Sequence, residues 1–441
     1  MYISLMKTRF KLKKLYLFVV FWILIELSWQ VKNPEFFRSF YGEDATIFGT
    51  QALANRFPND LLIKHAGYMH ILPRLLTRVA LLFPIEVAPL ILCTLIAGIT
   101  SFICIGIFAL LENIFKNKIL LVAVLFSFAL LPISNFESLG NAANLHFFLT
   151  AAAALFLSCK AETKFLNFQG FLICFFAATS DPFLVLLAPI AFSSGIPRNF
   201  RALRIQYARR GAFQGWLIGV TAQLVFMAFA PGERRVIENF QPLSEVGYLF
   251  LDRVIGAAFI PNWGFISNAA RIDNSLLVLR ATVAITILIL LISLCYFNIK
   301  NRLISFSKIL SVTVSILAYW VIAGILINPE PRYAVAPGIL ILFFCAINLD
   351  RLCLPINHSH WQNLMTYLFL ALLVSTWIFS LTPSGNLRDS VGWNSQITKA
   401  SVLCQGTIPS VKIVARPLNM TKSDEVNHAL LLPCNSRQNE N

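Results

Sequence analysis

The chain alternates between long apolar runs and short polar breaks. After a basic start (Lys7, Arg9, Lys11, Lys13, Lys14) an apolar run extends from Leu15 to about Val31. Further runs cover about 85–111, 119–134, 141–159, 165–179, 182–195, 211–230, 276–297, 309–327, 334–349 and 363–381. Most have the length of a membrane-crossing helix, which needs roughly 17–25 predominantly apolar residues. Two runs are short: 182–195 carries Pro189, and 119–134 has about sixteen residues, so both are expected to be tilted or irregular. The first run resembles a signal peptide in its basic flank. No small-residue cleavage site follows, since Trp29, Gln30, Val31 and Lys32 come next, so it reads as a first helix with a cytoplasmic N-terminus. The pattern predicts an all-α polytopic membrane protein with about eleven transmembrane helices.

Eleven crossings from an inside N-terminus place the C-terminus outside. Three polar segments are then large and extracytoplasmic: 32–84, 231–275 and the tail 382–441. The chain divides into a transmembrane region, 1–381, and a small C-terminal extracytoplasmic domain, 382–441. The tail is broken by Pro383, Gly385, Gly392, Gly406, Pro409, Pro417 and Pro433, and reads as mostly irregular, with Val411–Ala415 and Ala429–Leu432 as candidate strands.

Charge supports this orientation. The inner segments collect the N-terminal group, Lys116, Lys118, Lys160, Lys164, Arg198, Arg201, Arg204, Arg209, Arg210, Lys300, Arg302, Lys308 and Arg351, whereas the short outer loops hold only Arg332. Composition agrees: 57% of residues are apolar and 13% charged, against about 45–50% and about 25% in soluble domains, which excludes disorder and argues against a soluble globule. The net charge of +15 reads as positive-inside loops and contacts with anionic membrane lipids. No basic face is interleaved with an aromatic platform, so nucleic acid is not an expected partner.

Seven of the nine cysteines lie in or beside apolar helices and read as packing residues. Cys404 and Cys434 alone fall in the tail, where an oxidising compartment and a thin core favour a disulfide.

Polar groups at the outer boundary carry the candidate chemistry. Charge beside a bilayer is costly, so its presence calls for a reason. The first loop reads Phe40-Tyr41-Gly42-Glu43-Asp44-Ala45. Its adjacent carboxylates suit a general base or half a cation site; equally, an acid at this place caps a helix N-terminus. In the same loop, Leu72, Leu75, Leu76, Val79, Leu82 and Phe83 share one helical face, with Arg74 and Arg78 one turn apart on the other. This predicts an interfacial helix whose cationic stripe grips a lipid phosphate or anchors to head groups. His70 lies at its start, where a histidine is either a substrate contact or a packed, capping group. The second outer loop carries Glu137 and then Asn141 and Asn144, one turn apart. The third carries Asp181, which suits a plain cap. The last reads Asn328-Pro329-Glu330-Pro331-Arg332-Tyr333; Arg332 stands against the charge bias, either for an anionic ligand or for an ion pair with Glu330.

Tyr41-Gly42-Glu43-Asp44 after the first span, Gly67-Tyr68 with Pro73-Arg74, Glu137 with Asn141 and Asn144, Arg332-Tyr333 before a late span, and a cysteine-bearing tail together resemble the GT-C class of polytopic glycosyltransferases. The closest look is to uncharacterised bacterial members. The resemblance implies an enzyme of the bacterial plasma membrane. It would take a sugar from a polyprenyl-phosphate-linked donor at the outer leaflet and pass it to a glycan or lipid acceptor with inversion. It makes Asp44 the first candidate for the general base and Glu43 the second. Arg332, Arg74 and Tyr333 would bind the donor phosphate, and Tyr68, His70, Glu137, Asn141 and Asn144 the substrates. Metal-dependent members space their loop acids, whereas Glu43 and Asp44 are adjacent and no D-x-D occurs, so a divalent cation is the less favoured option and no cofactor is expected. Two other readings use the same surfaces: a transporter or flippase of a lipid-linked saccharide, and a polysaccharide polymerase or ligase. Transporters place polar groups at the midplane, whereas Glu26 is the one acid well inside a run here, which favours an enzyme.

Overall fold

The computed structural model describes residues 2–32, 34–130, 139–192, 210–230, 240–259, 274–301, 306–327, 331–351, 359–381, 392–405, 409–415 and 429–434, most of them helical. The helices are α1 (Tyr2–Lys32), α2 (Thr50–Ala54), α3 (Ile71–Ala80), α4 (Ala88–Leu111), α5 (Lys118–Leu130), α6 (Leu145–Ser158), α7 (Lys164–Ala178), α8 (Ala188–Ala191), α9 (Gly211–Phe229), α10 (Leu243–Leu249), α11 (Ala257–Phe259), α12 (Asn274–Lys300), α13 (Phe306–Ile327), α14 (Val335–Arg351), α15 (Ser359–Ser380) and α16 (Trp393–Leu403). Among the described residues, five stretches are long and apolar enough to cross a membrane: Leu15–Lys32, Ala88–Leu111, Gly211–Phe229, Ala281–Lys300 and Arg332–Arg351. Shorter apolar helical segments lie at Lys118–Phe128, Leu145–Ser158, Lys164–Ala178, Pro182–Ala191, Leu310–Leu326 and Asn363–Ile378. All coincide with the apolar runs of the sequence, because an apolar backbone away from water must satisfy its N–H and C=O groups internally. The run after Asp181 is irregular: a 3-10 turn, Pro182–Leu187, precedes the four-residue α8.

Small residues set the closest packing. α6 is buried almost throughout, including Ala151–Ala154. Its neighbours are α4, α7 and α14. Along α9, Gly211, Gly215 and Gly219 recur every fourth residue and face α7. A Cβ at Gly211 would stand 1.9 Å from the Asn167 carbonyl oxygen, and one at Gly215 2.2 Å from that of Phe171. Backbones touch here because glycine lets them, as small-residue seams do between membrane helices.

The first loop, 32–84, folds into short pieces. After the 3-10 turn Pro34–Phe37 comes a π-helical turn, Asp44–Gly49, running into α2. Phe36 and Phe40, before this turn, and Phe48, within it, are buried. A second 3-10 turn, Asn59–Leu62, and a tight hairpin at His65–Tyr68 lead to α3.

The tail is more regular than expected. It contains α16 as well as strands β1 (Ser410–Val414) and β2 (Ala429–Pro433), which pair antiparallel with Ser410 opposite Pro433. In α16, Trp393, Ile397 and Ala400 are buried, a helical spacing that gives the helix one apolar face. Cys404 and Cys434 form a disulfide. The tail lies on the first loop: the Leu431 N–H donates to Thr50 Oγ1 at 3.1 Å, the Trp393 indole N–H donates to the Ile85 carbonyl at 3.1 Å, and Trp393 meets Phe40 edge to face at 5.4 Å.

Candidate functional site

Glu43 and Asp44 are adjacent and serve differently. Gly42, at φ +36°, turns the chain, and the Asp44 N–H donates to the Tyr41 carbonyl at 2.9 Å. Asp44 is fully buried, and its Oδ2 and Oδ1 accept the backbone N–H groups of Ala142 and Ala143 at 2.9 Å each. It caps the turn that starts α6. Glu43 instead keeps 36% of its side chain open, and its Oε1 lies 3.9 Å from His65 Nε2. That distance is longer than a direct hydrogen bond. Burial opposes the Glu43 charge, but the His65 side chain and the Arg332 guanidinium outweigh it and hold the carboxyl down to about 2.

Arg332 therefore reaches the first loop from the far end of the sequence. It sits in the 3-10 turn Pro331–Ala334, its guanidinium 5.8 Å from the ring centre of the buried Tyr333. Tyr68 lies in the same electrostatic neighbourhood. Burial, then Tyr333, Glu43 and Asp181, push its hydroxyl well above the usual value, so it stays a neutral donor.

His70 occupies the middle of an aromatic group. Its ring centre lies 4.2 Å from Tyr68, 5.3 Å from His65, 5.4 Å from Phe48 and 6.5 Å from His146. Burial, followed by His65 and His146, drives its pKa well below the usual histidine range, so the ring is neutral at pH 7 and adds no charge to Glu43 there. His146 Nδ1 lies 2.6 Å from the Ala143 carbonyl, which can only accept, so the proton sits on Nδ1. On the third loop, Asp181 Oδ2 accepts the Thr150 and Tyr319 hydroxyls, and its Oδ1 accepts the Phe183 N–H, each at 2.9 Å. It caps a 3-10 turn and also ties α6 to α13.

The expected cationic stripe is not a water-facing surface. Arg74 is 1% exposed; its guanidinium donates to Gln51 Oε1 at 2.5 Å and to the Ile63 carbonyl at 2.8 Å, and lies 5.1 Å from the Phe48 ring centre. Burial lowers its pKa to about 10, partly offset by Asp60, so it remains a cation at neutral pH. Arg78 donates to the Ala52 and Asn55 carbonyls and pairs with Asp60 at 3.9 Å. Both arginines face the loop that folds back over α3, and they clip it in place. Helical spacing correctly placed them on one face but could not tell which surface that face meets.

Asn141 and Asn144 are buried in the turn that Asp44 caps. Glu137 lies outside the described residues. The fold thus gathers Glu43, Tyr68, His70, Arg332 and Tyr333, and adds His65, His146, Asp181 and Tyr319. His65 was readable only as a polar residue before Ala66-Gly67; Tyr319 and His146 sit inside apolar runs, where a polar side chain is the signal. Among the described residues, no group of three His, Cys, Asp or Glu side chains is placed to hold a metal ion. No protein-family model, curated protein or solved structure matches the chain.

Proposed function

We propose that this chain is a polytopic membrane glycosyltransferase of the GT-C kind, moving a sugar from a polyprenyl-phosphate donor to an extracytoplasmic glycan or lipid acceptor with inversion. In this reading the eleven apolar helical segments each cross the bacterial plasma membrane. The N-terminus is cytoplasmic, and the first loop and tail share the outer side. Contact between tail and first loop supports that sidedness, as does the Cys404–Cys434 disulfide.

What carries the reading is the electrostatic pairing of Glu43, whose side chain is 36% open, with the Arg332 cation, which lies near enough to favour the carboxylate although the two come from loops far apart in the chain. The acceptor hydroxyl oxygen attacks the anomeric carbon and Glu43 takes its proton. The bond from that carbon to the lipid phosphate breaks, and its electron pair leaves with the phosphate, whose developing charge Arg332 stabilises. Glu43 alone is a weak base because Arg332 and His65 hold its charge. A donor phosphate on Arg332 offsets that cation and raises the proton affinity of Glu43 as the substrate arrives. Asp44 becomes a positioning residue, since both of its oxygens already accept backbone N–H groups. Arg74 supports the loop and does not hold the phosphate.

The test is mass spectrometry of surface glycans and polyprenyl-linked lipids from a host lacking this protein, complemented with wild type, Glu43→Gln or Arg332→Gln. Loss of one sugar, restored by wild type and by neither variant, is the expected result. Full restoration by Glu43→Gln, with a complete lipid-linked saccharide accumulating in the deletion host, replaces the transferase with a transporter.

A further inference from the structure

We propose that His70 is a specificity contact, whose imidazole hydrogen-bonds a neutral hydroxyl of the bound substrate. That the hydroxyl belongs to a sugar rests on the transferase reading; that His70 meets a polar ligand group does not.

The ring is 2% exposed, and neither Nδ1 nor Nε2 has a hydrogen-bond partner among the described residues. A buried polar atom left unsatisfied costs about 1–3 kcal/mol, so natural folds rarely keep one without a use. Two atoms on one side chain are orphaned here. Its place is nonetheless firmly set. The His70 carbonyl accepts the Arg74 N–H at 3.2 Å, and the next residue, Ile71, donates its N–H to the Thr179 carbonyl at 3.4 Å. The backbone is tied both to α3 and to the end of α7, and the side chain is left without polar contacts.

The surroundings define the ligand group. His65, His146 and the Arg74 cation face the ring from the hairpin, α6 and α3, and Glu43 faces it from the first loop. A phosphate finds its cation at Arg332, whereas a neutral imidazole offers one N–H donor and one nitrogen acceptor. A hydroxyl both donates and accepts, so it matches either nitrogen. Tyr68 is the ring nearest to His70. Tyr68 belongs to a hairpin: two backbone bonds with His65, at 3.3 and 3.2 Å, span Ala66 at φ +51° and Gly67 at φ +87°, and on either side Lys64 Nζ donates to the Met227 carbonyl and the Met69 N–H to Gln223 Oε1, both on α9.

The test compares full-length wild type, His70→Phe and His70→Asn in lipid nanodiscs and in the deletion host. Phe fills the ring volume without orphaned nitrogens, so His70→Phe is expected to melt at or above wild type yet fail to complement. His70→Asn, whose amide offers both N–H donors and a carbonyl acceptor, restores part of the function. Decaprenyl phosphate is expected to bind wild type and His70→Phe equally. Of decaprenyl-phosphoryl glucose, mannose and galactose, the one that wild type prefers is expected to bind His70→Phe about tenfold more weakly, the size of one hydrogen bond. A His70→Phe protein that melts below wild type, or that complements fully, overturns the inference and leaves His70 a packing residue. Failure of every lipid to bind wild type instead overturns the transferase reading; the melting and complementation results still decide His70.

Discussion

Asp44 Oδ2 accepts the backbone N–H of Ala142 at 2.9 Å, and the same carboxylate takes the next N–H, that of Ala143, through Oδ1. One side chain thereby fastens the first loop to the start of α6, and its neighbour Glu43 is left open to react. The two acids should separate cleanly in experiment. Asp44→Asn keeps one acceptor oxygen and turns the other into a donor facing an N–H. It should cost about 1–3 kcal/mol and lower the melting temperature. Glu43→Gln gives up the stability its charge draws from His65 and Arg332, so its melting should fall too, but at a temperature where it is folded its transfer should still fall about 10²–10⁴-fold, the usual worth of a general base. Melting curves and transfer rates on the same preparations check both.

Glu43 also gives a pH prediction with a definite sign. Its carboxyl is held from the usual 4.5 down to about 2 by His65 and Arg332, against the opposing effect of burial. A depressed acid contributes stability above its unfolded value and loses it as pH falls through its folded value, so this contribution fades between about 4.5 and about 2. In wild type the base is already ionised throughout the neutral range. Residual activity of Arg332→Gln, or of His65→Leu, should show an acid limb moved to higher pH, because one partner that favours the carboxylate is gone. A limb that moves lower would separate Glu43 from these partners.

Arg74 and Arg332 test where the donor phosphate binds. Arg74 is buried and its guanidinium holds Gln51 and the Ile63 carbonyl. Arg74→Gln should therefore destabilise the fold, by about 1–3 kcal/mol for each of the Gln51 and Ile63 oxygens left without a donor, with donor affinity of the surviving folded protein little changed. Arg332→Gln should instead raise the donor KM and lower kcat, with a smaller fall in melting than Arg74→Gln shows. Donor titrations at a temperature where both variants are folded decide the point.

The helices were legible because runs of apolar residues leave a backbone away from water few other options. Strands in the tail were legible from Val411–Ala415 and Ala429–Leu432, and the disulfide from two cysteines apart from the rest. Three features were not read. The direction of Arg74 depends on a loop folding back over α3, which periodicity does not encode. The split between Glu43 and Asp44 depends on Ala142 and Ala143, distant in sequence. The recruitment of His65, His146, Asp181 and Tyr319 depends on how four segments meet. The spacing of Gly211, Gly215 and Gly219 gains its meaning only once α7 lies against them.

That glycine seam makes a prediction linking packing to the site. α7 ends beside the candidate site: its C-terminal Thr179 carbonyl accepts the Ile71 N–H next to His70, and Asp181 follows two residues on. A Cβ at Gly219 would stand 2.7 Å from Ala178 Cβ and 2.9 Å from the Phe175 carbonyl oxygen, in the last turn of α7. A Cβ at Gly211 would strike the Asn167 carbonyl oxygen instead, at 1.9 Å, about 12 Å away along the helix. Both substitutions overpack the seam and should cost about 1–3 kcal/mol each. The Gly211 clash is the harder one, so Gly211→Ala should melt lower. Gly219→Ala should nevertheless lose more transfer, because its strain displaces the segment that carries Thr179 and Asp181. Melting and kcat/KM should thus rank the two variants in opposite orders. Identical ranking in both measurements would mean that α7 acts on the site only through overall stability.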